Sequence, residues 1–128
     1  MGRTVRLPND TYIVNDLYST SEKIVGKWID GKPVYRKCYT GTTANITNGY
    51  FVITDASLKN IDSLIRFDYC IKDGTIFSML PNVGDRIAST YIQTSYGGIG
   101  IIVQNSSYYS SFSNKPYKII LEYTKTTD

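Results

Sequence analysis

The sequence contains no histidine and only two cysteines, and these absences exclude whole classes of chemistry. Without histidine there is no imidazole to act as a general base near neutral pH, to bind a metal ion or to activate a serine or cysteine nucleophile. Cys38 and Cys70 are too few for a disulfide framework and too far apart for a CxxC motif, so we interpret them as ordinary reduced thiols or as packed small side chains. We therefore expect no enzyme activity, no metal site and no cofactor.

Long apolar runs and concentrated charge are also missing. No stretch of about eighteen apolar residues occurs and no hydrophobic segment follows the first six residues, so we expect neither membrane insertion nor a secretory signal. The formal net charge is +3, and the basic and acidic residues are interleaved, which disfavours a nucleic-acid partner. A chain of 128 residues has the size of one domain.

Tyrosine is abundant, with 12 residues, and it is accompanied by many Ser, Thr, Asn and Gly. Short β-branched and aromatic segments recur at intervals of roughly ten residues, which is typical of an all-β sandwich or barrel. The predicted strands cover residues 23–29, 32–39, 49–54, 64–71, 75–80, 86–94, 99–104 and 117–125. We therefore predict an antiparallel, jelly-roll-like β-sandwich of about eight strands over residues 18–128, preceded by a lead-in segment at residues 1–17.

Three glycine-containing turns predict antiparallel hairpins. Asp30-Gly31 and Asp73-Gly74 each separate two apolar segments, and a two-residue turn there needs a positive φ at both central positions. The stretch from Tyr96 to Gly98 predicts a third hairpin. Alternation within residues 64–71 indicates one buried face, whereas residues 99–103 are apolar on both sides, as in a strand that is covered on both faces.

Residues 105–114 are the one compositional anomaly, because they combine three aromatic rings with short polar side chains and carry no charge. One interpretation is a twisted edge strand or a long hairpin tip. The other is a contact loop, in which rigid rings offer flat apolar faces and the polar side chains form hydrogen bonds. Our candidate ligand-binding residues are Tyr108, Tyr109 and Phe112 from this segment, together with Tyr96.

Residues 18–35 contain the pattern Y-S-T-x-E-x-x-x-G-x-W-x-D-G-K-P-V-Y, which resembles a segment of bacteriophage and prophage tail-fibre and minor tail or baseplate proteins from phages of gut bacteria. The ending Y-T-K-T-T-D at residues 123–128 and the stretch N-I-D-S-L-I at residues 60–65 resemble the same family. The similarity covers roughly residues 18–128, and its first motif is the most specific.

This resemblance implies a virion protein: a fibre head or tip domain, made in the host cytoplasm, that forms a homo-oligomer, often a trimer, and binds a bacterial surface glycan or protein. The alternative is a purely structural trimerisation or capping module. Trp28 is expected to anchor the core or a subunit interface. A glycoside hydrolase is a third hypothesis, for which the sequence leaves Asp55 with Asp68 as a carboxylate pair.

Overall fold

The computed structural model describes residues 3–6, 12–15, 17–80 and 88–128, and within these ranges the chain is mostly β. The strands are β1 (Arg3–Arg6), β2 (Tyr12–Asn15), β3 (Lys23–Lys27), β4 (Pro33–Thr42), β5 (Tyr50–Thr54), β6 (Ile61–Asp73), β7 (Ile76–Leu80), β8 (Ala88–Gln93), β9 (Gly98–Val103) and β10 (Pro116–Lys125). Two 3-10 turns (Ala56–Asn60 and Ser106–Tyr108) and the short helix α1 (Tyr109–Phe112) interrupt them. None of the helices in the described ranges is long and apolar enough to cross a bilayer.

The strands β3 to β10 form two antiparallel sheets. The larger sheet has the strand order β3-β4-β10-β6-β7, and the smaller sheet has the order β5-β9-β8. The prediction of eight antiparallel strands is therefore confirmed, although residues 86 and 87 of the sixth predicted strand lie outside the described ranges. The strands β1 and β2, in the predicted lead-in segment, pair with each other as a separate antiparallel ribbon.

Side chains from both sheets build one hydrophobic core. The buried residues of the central strands are Tyr69, Ile71, Ile119, Leu121 and Tyr123 from the larger sheet and Ile99, Ile101 and Val103 from β9. The ring of Phe51 in β5 lies 5.9 Å from that of Tyr117 in β10 between centroids, so the two sheets contact each other directly. Each fully buried side chain of this size contributes about 2 kcal/mol, and the core thereby fixes the position of β9.

A 3-10 turn between β5 and β6 covers part of this core. The Asp55 side chain accepts a hydrogen bond from the Ser57 amide at 3.1 Å and so caps the turn. The Leu58 amide donates to the Asp55 carbonyl at 3.0 Å, and the Leu58 side chain is fully buried. The capped turn thereby holds the Leu58 side chain in the core.

The hairpin between β3 and β4 differs from the prediction. The Trp28 amide donates to the Lys32 carbonyl at 2.8 Å and the Gly31 amide donates to the Trp28 carbonyl at 2.9 Å, which leaves a three-residue loop from Ile29 to Gly31. Gly31 has a φ of +89°, whereas the φ of Asp30 is not positive. The predicted two-residue turn is wrong here, because a type I turn followed by one left-handed glycine avoids placing Asp30 in a strained conformation.

The hairpin between β6 and β7 is shifted by one residue from the prediction. Asp73 pairs with Ile76, so the two-residue loop is Gly74-Thr75 rather than Asp73-Gly74. Gly74 has a φ of +61°, and the φ of Thr75 is not positive. A glycine at the first loop position is the pattern of a type II′ turn, which needs only one left-handed residue.

Candidate binding surface

The outward face of the smaller sheet carries a group of three tyrosines. In β9 the core-facing residues alternate with Gly98 and Gly100, which therefore point outward. Tyr91 of β8 lies opposite Gly100, and Tyr50 of β5 lies opposite the next outward residue of β9. Tyr96 comes from the turn between β8 and β9. We call the surface formed by Tyr50, Tyr91 and Tyr96 over these glycines the tyrosine face.

The two glycines determine where the rings of Tyr91 and Tyr96 lie. A Cβ atom at Gly100 would be 2.1 Å from Cζ of Tyr91, and a Cβ atom at Gly98 would be 2.4 Å from Cε2 of Tyr96. Both rings therefore rest directly on the backbone of the central strand, in space that any other residue would fill. The predicted hairpin at this position is confirmed, and its turn is closed by the Gly97 amide, which donates to the Gln93 carbonyl at 3.1 Å.

The Tyr91 hydroxyl is hydrogen-bonded to Tyr96 and lies near Tyr50. Burial raises the pKa of Tyr91, and its hydrogen bond with Tyr96 and the nearby hydroxyls of Tyr96 and Tyr50 raise it further. The Tyr91 hydroxyl is consequently protonated across the physiological pH range. Neutral hydroxyls act as both donors and acceptors of hydrogen bonds, so the face offers a ligand polar contacts next to apolar rings.

The tyrosine face is exposed and uncharged. Tyr50 is 55% exposed and Tyr96 is 46% exposed, although most aromatic residues of the chain are packed into the core. The outward positions of the three strands are Tyr50, Val52, Thr54, Ser89, Tyr91, Gln93, Gly98, Gly100 and Ile102. None of these side chains carries a charge, whereas charged residues make up 20% of the whole sequence.

A groove of about 360 Å³ adjoins the tyrosine face along the end of β5 and β9. Its lining includes Tyr50, the exposed amide side chains of Asn48 and Gln104, and Tyr109. The Tyr109 hydroxyl reaches the backbone of Gly49, where a Cβ atom would be 3.1 Å from it. The groove therefore adds amide and hydroxyl groups to the apolar rings of the tyrosine face.

The structure distributes the four predicted site residues over different environments. Tyr96 belongs to the tyrosine face, and Tyr109 lines the adjoining groove while packing partly against the core. Tyr108 is half-buried against the core. Phe112 is only 1% exposed, so its prediction as a surface contact residue is wrong.

The reason for this burial is the conformation of residues 105–114. They form neither an edge strand nor an extended loop, because Ser106–Tyr108 is a 3-10 turn that continues into α1. Asn105 caps the turn by accepting from the Ser107 amide at 3.0 Å. The Ser113 hydroxyl donates to the Tyr109 carbonyl at 2.7 Å. The short polar side chains of this segment thus satisfy its own backbone, and the helical turn directs Phe112 into the core.

Tyr50 and Tyr91 are the members of the surface that sequence reasoning missed. The signal that could have identified them is the alternation Gly98-Ile99-Gly100 in a strand that is otherwise apolar. Paired glycines on one face of a central strand leave room for aromatic rings from the neighbouring strands. The predicted cover on both sides of β9 is confirmed, and the rings of Tyr91 and Tyr96 provide it on the outer side.

The carboxylate pair considered for hydrolysis does not form. Asp55 accepts from Lys37 Nζ at 2.6 Å on the core-facing side of β4, whereas Asp68 is paired with Arg66 on the outward side of β6. The two carboxylates therefore lie on opposite faces of the larger sheet and share no cleft. Within the described ranges, no group of three histidine, cysteine, aspartate or glutamate side chains is placed to hold a metal ion.

No family model, no curated protein and no solved structure matches this chain.

Proposed function

We propose that the chain is the head or tip domain of a phage tail fibre and that its tyrosine face binds an uncharged saccharide of the bacterial surface without covalent chemistry or a cofactor. The observation that carries this proposal is the clustering of three tyrosines, two of them about half exposed, on an uncharged face of the smaller sheet. Aromatic rings exposed together in this way are typical of recognition surfaces rather than of ordinary solvated faces.

The chemistry of the face suits a sugar ring. A pyranose has an apolar face of C–H groups, which packs against a tyrosine ring, and a rim of hydroxyls, which needs both donors and acceptors. Tyr50 and Tyr96 supply exposed rings, while Asn48 and Gln104 supply amides at the edge of the adjoining groove. An ionic ligand would instead require side chains of opposite charge, and the face has none.

We further infer that the two sheets stack as a β-sandwich, with the jelly-roll-like path predicted from the sequence. The contact between Phe51 and Tyr117 across the sheets and the shared core support this stacking. A sandwich would hold β9 and its ring-bearing neighbours in place before a ligand arrives. Preorganised binding groups lose little conformational entropy on binding, which favours affinity from few contacts.

The resemblance of the motifs at residues 18–35 and 123–128 to phage tail proteins supports the virion setting of this proposal. In a trimeric fibre the tyrosine face would occur three times, and several fibres would engage one cell together. Linked weak sites reach a high overall avidity because the second and later contacts form at a high effective concentration. A single face with only a few exposed rings is therefore sufficient for adhesion.

The proposal is tested by the double variant Tyr50→Ala/Tyr96→Ala in an adsorption assay on a panel of gut bacteria. Loss of the two exposed rings is expected to weaken binding by about 2 kcal/mol, or roughly thirtyfold. The control Met79→Ala removes a 56% exposed apolar side chain from the larger sheet and is expected to leave adsorption unchanged. Equal adsorption by wild type and double variant would exclude the tyrosine face as the receptor site.

A structural role in trimerisation is the second candidate, and the tip of the β3–β4 hairpin favours it. Trp28 is 41% exposed and Ile29 is 92% exposed, so Trp28 is not the core anchor that the sequence suggested as one possibility. Such a tip suits packing against a sister subunit. Light scattering separates the candidates: a trimer that dissociates on Trp28→Ala, together with no adsorption to any strain, favours the structural role.

A further inference from the structure

The larger sheet carries a second cavity, of about 280 Å³, on its outward face. Its lining includes Cys70, Lys72, Phe77, Pro116 and Lys118. This cavity lies on a different sheet from the tyrosine face and shares none of its residues. It therefore represents an independent feature of the molecule.

Strand register places two ammonium groups at this cavity. Lys118 of β10 lies opposite Cys70 of β6, and Lys72 follows two residues further along the same face. In the part of the chain that the structure describes, neither Lys72 nor Lys118 forms an ion pair. The neighbouring acid Asp73 is occupied, because its carboxylate accepts from Lys115 Nζ at 2.9 Å. Among the described residues, the two ammonium groups at this cavity therefore have no acidic partner.

Much of the remaining wall of the cavity is apolar. Phe77 lies opposite Lys72 in the β6–β7 pair and is 67% exposed. The Lys72 ammonium lies 5.2 Å from the centroid of the Phe77 ring, which holds the charge beside an aromatic surface. Pro116 adds a second rigid apolar group. A ligand that fits both parts of the wall has a compact ring with an attached anionic group.

We propose that this cavity binds an acidic sugar unit, with its carboxylate or phosphate oxygens between Lys72 and Lys118 and its ring against Phe77. The cavity is slightly smaller than the sites that enclose drug-sized ligands, so it accommodates about one sugar residue. Two partly exposed ammonium groups attract an anion in a salt-dependent manner. Binding at this site is therefore expected to be weak and to decrease severalfold as NaCl is raised from about 20 to about 300 mM.

The test is a titration of the full chain with glucuronate, glucose 6-phosphate and glucose. Binding is measured by NMR and by the protection of Cys70 from alkylation. Glucuronate, glucose 6-phosphate or both are expected to slow alkylation of Cys70, while glucose has no effect at equal concentration. The two acids distinguish a carboxylate from a phosphate ligand. Cys38 lies on the same sheet face outside the cavity and serves as the internal control, with no expected protection.

The double variant Lys72→Gln/Lys118→Gln is expected to lose this protection, and the matched variant Lys59→Gln, at an exposed lysine elsewhere, is expected to keep it. Protection of Cys70 that persists in the double variant would overturn the proposal, as would the absence of protection by both acids in the wild-type chain. The tyrosine-face variant Tyr50→Ala/Tyr96→Ala is expected to bind the acid normally. The acid site and the proposed receptor site therefore succeed or fail separately.

Discussion

At the scale of single residues, Asp55 is the most densely bonded polar group of the described chain. Its Oδ2 accepts hydrogen bonds from Lys37 Nζ and from the Tyr39 hydroxyl, both at 2.6 Å, while its Oδ1 accepts from the Ser57 hydroxyl at 2.7 Å. Burial alone would raise the pKa of Asp55, but the hydrogen bonds from Lys37, Tyr39 and Ser57 outweigh it and hold the pKa well below its usual range. The same bonds tie the 3-10 turn to the larger sheet.

The variant Asp55→Asn is therefore expected to destabilise the fold by about 2 kcal/mol at pH 7. Because the folded pKa of Asp55 lies below the unfolded value of about 3.9, the wild-type stabilisation is complete above about pH 5 and is lost as the pH falls. Urea unfolding at pH 7, 5 and 3 measures this dependence. The difference in unfolding free energy between wild type and variant should shrink towards pH 3.

The matched control for this prediction is Asp62→Asn. Asp62 forms a 2.8 Å ion pair with Lys32, and its side chain is much more exposed than that of Asp55. Exposed ion pairs contribute little to stability, so the unfolding free energy of the control should fall by less than about 1 kcal/mol. If the difference in unfolding free energy between wild type and Asp55→Asn stayed constant from pH 7 to pH 3, the role assigned to Asp55 would be contradicted.

Residue environments were only partly predictable from the sequence. The glycine turn at Tyr96 is a local signal for an exposed ring, whereas the short polar neighbours of Phe112 give no sign that its ring is buried. The composition of a segment describes the neighbours of a residue along the chain. The exposure of the side chain depends instead on the backbone conformation of the turn. The glycine alternation of β9 is the one local signal for Tyr50 and Tyr91, which come together only through strand pairing.

At the scale of elements, β9 organises the proposed receptor site, because its outward glycines make room for the rings. A methyl group at Gly100 would overlap the Tyr91 ring, so Gly100→Ala is expected to displace that ring while the strand remains paired. We expect a stability change of about 1 kcal/mol and a loss of saccharide affinity of roughly tenfold. Thermal unfolding and the adsorption assay measure the two effects.

The control for this prediction is Gly26→Ala in the edge strand β3. A Cβ atom at Gly26 would have no neighbour within 4 Å, so this variant should change neither stability nor adsorption measurably. If Gly100→Ala adsorbed like wild type although its Tyr91 ring had moved, the contribution of Tyr91 to binding would be disproved.

The elements themselves were more predictable than their arrangement. All eight strands of residues 18–128 could be located, because alternating side chains and glycine turns are local signals. The position of β10 between β4 and β6 could not be read from the sequence, since it depends on pairing between residues far apart in the chain. The exact turn types also differed, because one left-handed glycine is enough where two left-handed residues were expected.

At the scale of the whole molecule, charge is separated from the tyrosine face. The ion pairs of Arg36 with Glu122, Lys37 with Asp55 and Lys115 with Asp73 all involve strands of the larger sheet or its margins. The smaller sheet presents only neutral groups outward. This separation predicts two kinds of ligand contact on one molecule: a neutral sugar on the tyrosine face and an acidic sugar unit on the larger sheet.

The binding of a neutral saccharide by the tyrosine face is tested most directly by an NMR titration of the isotopically labelled chain with purified surface polysaccharides from gut bacteria. A neutral polysaccharide is expected to shift the resonances of Tyr50, Tyr91 and Tyr96 and of the backbone at Gly98 and Gly100, with little effect of salt. If every polysaccharide that binds left the resonances of these five residues unchanged, the tyrosine face would not be the binding site. Binding of none of the polysaccharides would likewise contradict the proposed function.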